Sequence, residues 1–126
     1  MGRKPQWNEE HNNNITIAPH FNLKEFQCPC CGRVMLDDLI LTFVSEVRGR
    51  YGKPVIITSG YRCETHNLYI GGAEDSKHLV GEAVDLAVPK DYQNSEYFNI
   101  IKEVVTKWGL LVIPESDHIH VEIKLP

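Results

Sequence analysis

The residues with chemistry to offer are histidines and acids in the second half of the chain. His78 and Asp85 lie seven positions apart across Gly81, and His118, His120 and Glu122 alternate near the end. Alternate residues of a strand share a face. Ala83, Asp85 and Ala87 therefore lie on one face of the 82–88 segment, with Val84, Leu86 and Val88 on the other. By the same rule His118, His120 and Glu122 oppose Ile119, Val121 and Ile123. Taken alone, Asp85 reads as a solvent-facing acid and His78 as a structural histidine, because an unpaired carboxylate in an apolar strand is costly. Two histidines two apart on one strand change that balance, since they converge on one point. A catalytic zinc ion needs three N or O ligands and an open position for water. His78, Asp85 and either His118 or His120 supply that set without a thiolate. Such an ion lowers the pKa of its water to ~7, and the remaining histidine is then available as general base or to orient the water.

The cysteines offer a second chemistry. Cys28-Pro29-Cys30-Cys31-Gly32 holds a C-x-x-C spacing through Cys28 and Cys31, and Cys63 follows Arg62. A redox motif calls for a thioredoxin-like βαβ setting, which this chain lacks. Three readings stay open. Cys28, Cys31, Cys63 and His66 could hold a second, structural ion; Cys63 could form a disulfide with an N-terminal thiol; or the thiols are reduced and inert.

These residues need elements to position them. Asn22-Leu23-Lys24-Glu25 has the form of a capping box, which predicts a short helix stopped by the cysteine cluster. Leu36, Leu39, Ile40, Phe43, Val44 and Val47 follow the spacing of a helix with one buried face, ended by Gly49 or Gly52. Pro54–Thr58 suits a buried strand, and Ser59–Lys77 reads as a long polar loop, uncommon unless functional. Glu82–Val88 reads as a strand. Ser95 caps a second amphipathic helix through Trp108, with Gly109 beyond it. Leu110–Ile113, a turn at Pro114–Asp117 and His118–Ile123 form a closing strand pair. The fold class is α+β, with helices on one side of a small, mainly antiparallel sheet.

Composition bounds the rest. The chain has 126 residues, 42% hydrophobic, with 13 Lys+Arg against 17 Asp+Glu and a net charge of −4. Such a length carries one core, here placed at residues 15–126 behind a flexible tail at 1–14. A mildly acidic chain is a poor candidate for nonspecific nucleic-acid binding. Its apolar runs are too short for membrane insertion. No secretory signal follows the opening residues.

Ser76-Lys77-His78-Leu79-Val80-Gly81-Glu82-Ala83-Val84-Asp85 resembles the Ser-x-His-x-x-Gly-x-Ala-x-Asp signature of the zinc D-Ala-D-Ala carboxypeptidase and endopeptidase family. That family cleaves peptidoglycan stem peptides and shares its fold with the hedgehog signalling domain. Residues 20–26, Thr58-Ser59-Gly60-Tyr61-Arg62, His66-Asn67, Gly71-Gly72-Ala73 and the His118-Ile119-His120 element are similar to the family as well. The resemblance implies zinc held by His78, Asp85 and His120, with His118 as base beside the water. It implies that Arg62 polarises the scissile carbonyl or holds the substrate, that Ser76 supports the site, and that Gly81 and Ala83 keep clear of the metal. Some relatives use Glu-x-x-His instead. Glu115 would then be base with His118 as ligand, or Asp117 would be base with His120 as ligand.

The expected function is zinc-dependent hydrolysis of D-amino-acid-containing bonds in peptidoglycan stem peptides, as a D,D-carboxypeptidase or an endopeptidase. The alternatives are a noncatalytic, hedgehog-like zinc-containing binding module and a phage structural component. The partner expected is the stem peptide. The setting expected is an endolysin-like enzyme made in the cytoplasm and released to the wall at lysis.

Overall fold

The computed structural model describes residues 12–124. Most of the expected tail, residues 1–11, lies outside the described residues. The last part of that segment is described: the Asn13 side chain donates to Gln27 Oε1 at 2.9 Å and to the Gly32 carbonyl at 2.7 Å.

Two short strands, β1 (Thr16–Ala18) and β2 (Phe21–Asn22), pair antiparallel. They lead into a 3₁₀ turn at Leu23–Phe26, where the capping box forms as expected: Asn22 Oδ1 accepts from Lys24 N, and Asn22 N donates to Glu25 Oε2. Helix α1 (Asp38–Tyr51) starts at an Asp37 cap that accepts from Leu39 N at 2.8 Å. It buries Ile40, Phe43, Val44 and Val47, and ends at Gly52 with φ +74°. A left-handed C-terminal residue is where glycine carries no side-chain penalty.

The main sheet runs β3 (Ile57–Ser59), β4 (Ala83–Ala87), β6 (His118–Ile123) and β5 (Leu110–Pro114) in spatial order, all neighbours antiparallel. Helix α3 (Glu96–Trp108) opens where Ser95 Oγ accepts from Phe98 N, and packs against α1. Val84, Leu86, Ile119 and Val121, from the two central strands, are fully enclosed in one core with the apolar faces of α1 and α3. That burial fixes the register, because a one-residue slip would exchange the faces of a strand. The opposite face is thereby assigned to Asp85, His118 and His120. Cα register partners are Asp85↔His120, Ala87↔His118 and Ala83↔Glu122.

Two expectations differ from the structure. The strand expected at 54–58 is β3 at Ile57–Ser59, an edge strand with a register irregularity, and only Val55 of the earlier stretch is buried. Pro54 has no N–H to give a ladder, and Ile56 is 55% exposed. The loop expected at 59–77 contains a helix, α2 (Glu64–Tyr69). Its six residues are too few to show a period, and its cap is Cys63, whose sulfur accepts from His66 N, rather than one of the usual oxygen caps. None of the helices among the described residues is long and apolar enough to cross a membrane.

Candidate functional site

The β4–β6 pairing places Asp85 beside His120, and a 3₁₀ turn at Lys77–Val80 brings His78 over them. Ser76 opens that turn by accepting from His78 N at 3.2 Å, so its position in the site includes a capping role. Gly81 closes the turn at φ +73°, and a Cβ there would strike the Met35 carbonyl. The expectation that Gly81 serves to keep clear of a metal is thus replaced by a backbone reason: left-handed geometry and close approach to residue 35. Ala83 lies on the Asp85 face, opposite Glu122.

Asp85 Oδ1 sits 3.1 Å from His78 Nε2 and 2.9 Å from His120 Nδ1. One ligand atom from each of these three residues lies within 4.8 Å of the others. Each ring has its other nitrogen occupied: His78 Nδ1 lies 2.7 Å from the Gly60 carbonyl, and His120 Nε2 lies 2.8 Å from Glu122 Oε1. A carbonyl only accepts, so His78 carries its proton on Nδ1 and, when neutral, turns the Nε2 lone pair toward Asp85. A neutral His120 donating to Glu122 likewise turns its Nδ1 lone pair inward. With both rings neutral, three electron-pair donors face one another around a single point, an arrangement that suits a cation. Two N and one O donor, each histidine braced by an oxygen acceptor, match a zinc site and its supporting shell.

Without an ion, protons on the inward nitrogens hold the three groups together instead. Burial opposes ionisation of Asp85, but hydrogen bonds from His120 and His78 outweigh it and hold the carboxyl well below the usual carboxylate range. Burial likewise works against a charged His120, and the Asp85 and Glu122 carboxylates overcome it and raise the imidazole above its ordinary value. Asp85 is 6% exposed.

Arg62 closes the site from a third side. Its Nη2 is 3.3 Å from Asp85 Oδ2, its Nε donates to Ser59 Oγ at 3.1 Å and its Nη1 to Asn67 Oδ1 at 3.3 Å. Asp85 thus presents Oδ1 to the two imidazoles and Oδ2 to the guanidinium. His118 Nε2 lies 3.8 Å from Asp85 Oδ2, while its Nδ1 is 2.7 Å from Asp117 Oδ1. These side chains open onto a cleft of about 380 Å³, whose walls also include Asp75, Lys77, Ile113 and Glu115.

Four participants carried no assigned role in the sequence reading. Ser59 and Asn67 hold the guanidinium, the Gly60 carbonyl holds His78, and Glu122 holds His120. Glu122 was visible by alternation, being on the His120 face. Gly60 acts through its backbone, which residue type does not reveal.

The thiols form a second cluster. Cys28 is buried, and its Sγ lies 3.7 Å from Cys63 Sγ; ligand atoms of Cys28, Cys31 and Cys63 are all within 4.8 Å. Burial opposes ionisation of Cys28, but the backbone N–H groups of Cys63, Cys31 and Cys30 prevail and lower its pKa. Cys30 is exposed, and the adjoining Cys63 thiol is the main influence raising its pKa. His66, the fourth ligand expected for this cluster, contributes a backbone N–H to Cys63 Sγ at 3.4 Å, and its ring is not among the converging ligand atoms.

A family model described as Peptidase M15 matches residues 19–122, a span that includes both clusters. Among solved structures, the crystal structure of the L-Ala D-Glu endopeptidase ChiX from Serratia marcescens is similar. It has 17% sequence identity and a TM-score of 0.53, covering 71% of this chain and 80% of that chain. At that identity the likeness is one of fold. No curated protein matches the sequence.

Proposed function

This chain belongs to the Peptidase M15 family, and on that premise we propose that it is a zinc-dependent peptidase acting on peptidoglycan stem peptides. The observation that carries the reading is the convergence of His78 Nε2, Asp85 Oδ1 and His120 Nδ1 beside Arg62 in an open cleft. These three residues would hold the ion. Zinc, when bound, supplies a Lewis acid that polarises a carbonyl and makes water nucleophilic near neutral pH.

The chain's own side chains account for the remaining steps. Asp117 accepts from His118 Nδ1, which leaves Nε2 as the basic nitrogen on the cleft side. His118 Nε2 takes a proton from the attacking water and returns it to the departing amine. Arg62, held in place by Ser59 and Asn67, supplies a fixed positive charge where the scissile carbonyl oxygen becomes negative. Ser76 and the Gly60 carbonyl fix the His78 ring, and Glu122 fixes the His120 ring.

The cleft's charges favour an internal peptide bond over a C-terminal one. Its cationic side chains among the described residues are Arg62 and Lys77. The first is paired with Asp85; the second donates to the Ile123 carbonyl and lies 3.8 Å from Glu82. Asp75, Glu115 and Glu122 also face the cleft, so among the described side chains no unpaired cation stands ready to receive a free substrate carboxylate. Endopeptidase action is therefore the form we favour. Digestion of defined muropeptides separates the two forms: new internal amino termini are expected, and release of free D-Ala alone would overturn the endopeptidase assignment. A folded, zinc-loaded chain that cleaves no stem peptide would favour the noncatalytic binding module instead.

A further inference from the structure

We propose that Cys28, Cys30, Cys31 and Cys63 bind a second metal ion, a zinc-type tetrathiolate centre that is structural rather than catalytic. The separation of the sulfurs is the first argument. Two thiolates on one tetrahedral zinc ion, each about 2.3 Å from it, lie about 3.8 Å apart, and Cys28 Sγ to Cys63 Sγ is 3.7 Å. A disulfide would need about 2.05 Å. Cys31 joins these two within 4.8 Å. The Cys30 thiol is exposed and outside that convergence, next in sequence to Cys31 and within the influence of the Cys63 and Cys28 thiols, and it would turn inward as the fourth ligand.

The backbone around the sulfurs is the second argument. Cys28 N donates to the Arg33 carbonyl at 2.8 Å, and Gly32 N donates to the Cys28 carbonyl at 2.9 Å, with Gly32 at φ +75°. This closed turn sets Cys28 and Cys31 around one point. The second arm arrives from the start of α2, where Cys63 N donates to Cys28 Sγ at 3.5 Å and His66 N to Cys63 Sγ at 3.4 Å. N–H groups aimed at sulfur stabilise the thiolate form that a metal requires. Four sulfur ligands leave no position for water, which makes the centre structural.

Its placement gives it a purpose. Cys63 directly follows Arg62, and the same segment is seated on the 3₁₀ turn before the cysteines: Tyr61 N donates to the Phe26 carbonyl at 2.8 Å, and a Cβ on Gly60 would come within 2.6 Å of that oxygen. The ion would staple the 28–33 turn to the segment that supplies the Gly60 carbonyl to His78 and the Arg62 guanidinium to Asp85. It acts on the first site only by positioning.

The test is metal content of the full chain purified under reducing conditions, followed by cobalt substitution. Two ions per chain are expected in the wild type, and one in Asp85→Ala. Both cobalt-loaded proteins should show thiolate-to-cobalt charge-transfer absorption in the near ultraviolet, and Cys63→Ser should lose it while retaining one ion. The wild-type and Asp85→Ala spectra decide the matter even where Cys63→Ser does not fold. One ion per chain with no charge-transfer band, or four thiols that all react freely in the native protein, would overturn the proposal. The outcome is independent of peptidase activity, so it stands or falls apart from the functional reading.

Discussion

The two ligand clusters are built on opposite principles. His120 and Asp85 project from paired central strands, whose other face is locked into the core through Val84, Leu86, Ile119 and Val121. Cys28, Cys30 and Cys31 stand on a tight turn, and Cys63 caps a six-residue helix. A sheet brings ligands together whether or not an ion is present, because hydrophobic burial fixes the register. A turn and a short helix have little core of their own, so their relative position depends on whatever links them. One cluster also faces a cleft and an arginine, as chemistry requires; the other gathers three sulfurs at the base of a turn, with Cys30 exposed beside them.

The largest effect expected from breaking this contrast is at Asp85. Replacing it by alanine removes a ligand and leaves Arg62, His78 and His120 without their shared partner, so kcat/KM should fall by roughly a thousandfold or more, with loss of one ion. Cys63→Ser, assayed where it remains folded, should cost far less. Equal losses in the two variants would erase the distinction between a chemical and a structural cluster.

Next comes His118→Ala, expected to lower kcat by roughly 10²–10⁴-fold while metal content is unchanged. Loss of the ion in this variant, with retention in His120→Ala, would instead identify His118 as ligand and Glu115 as base. Glu122→Gln weakens the brace on His120 and should reduce metal affinity by about 10–100-fold, read by chelator competition. Gly60→Ala sharpens the comparison from the seam between the clusters. Its Cβ would press on the Phe26 backbone at 2.6 Å, which should destabilise the fold by about 1–3 kcal/mol in denaturant titration.

The smallest effect is in pH dependence. In the chelated protein, Asp85 lies below its unfolded pKa, so its stabilisation is present above about pH 3.9 and is lost as pH falls further. His120 lies above its unfolded value, so its stabilisation is present below about pH 6.5 and is lost as pH rises through the folded value. The melting temperature of chelated protein should therefore decline above about pH 6.5. The stabilisation added by zinc should grow over the same range, because the ion needs neutral imidazole. A zinc contribution independent of pH would contradict the ligand role of His120.

The same contrast explains how far the sequence could be read. Period-2 alternation exposed β4 and β6 and put Asp85, His118, His120 and Glu122 on one face, because each strand has a single apolar side in the core. Helices α1 and α3 were legible from their 3.6-residue spacing, from the Ser95 cap and from the glycines beyond them, Gly109 and either Gly49 or Gly52, of which Gly52 is the one that ends α1. Helix α2 was hidden, since six residues show no period and a cysteine caps it. Arg62 could be marked by residue type, but its holders Ser59 and Asn67 come from separate elements and become partners only in three dimensions. The closeness of Cys28 and Cys63 was also invisible as geometry. Nothing in the types of Phe26 and Gly60 shows that their backbones touch and bring those two segments together.

The central claim is that His78, Asp85 and His120 hold a zinc ion that this chain uses to cut stem peptides. The most direct measurement is digestion of purified peptidoglycan by the zinc-loaded protein, by the chelated protein and by the Asp85→Ala variant, with new amino termini quantified. The account predicts cleavage by the first, none by the second until zinc is restored, and none by the third. Undiminished cleavage after complete chelation, or by Asp85→Ala, would contradict it.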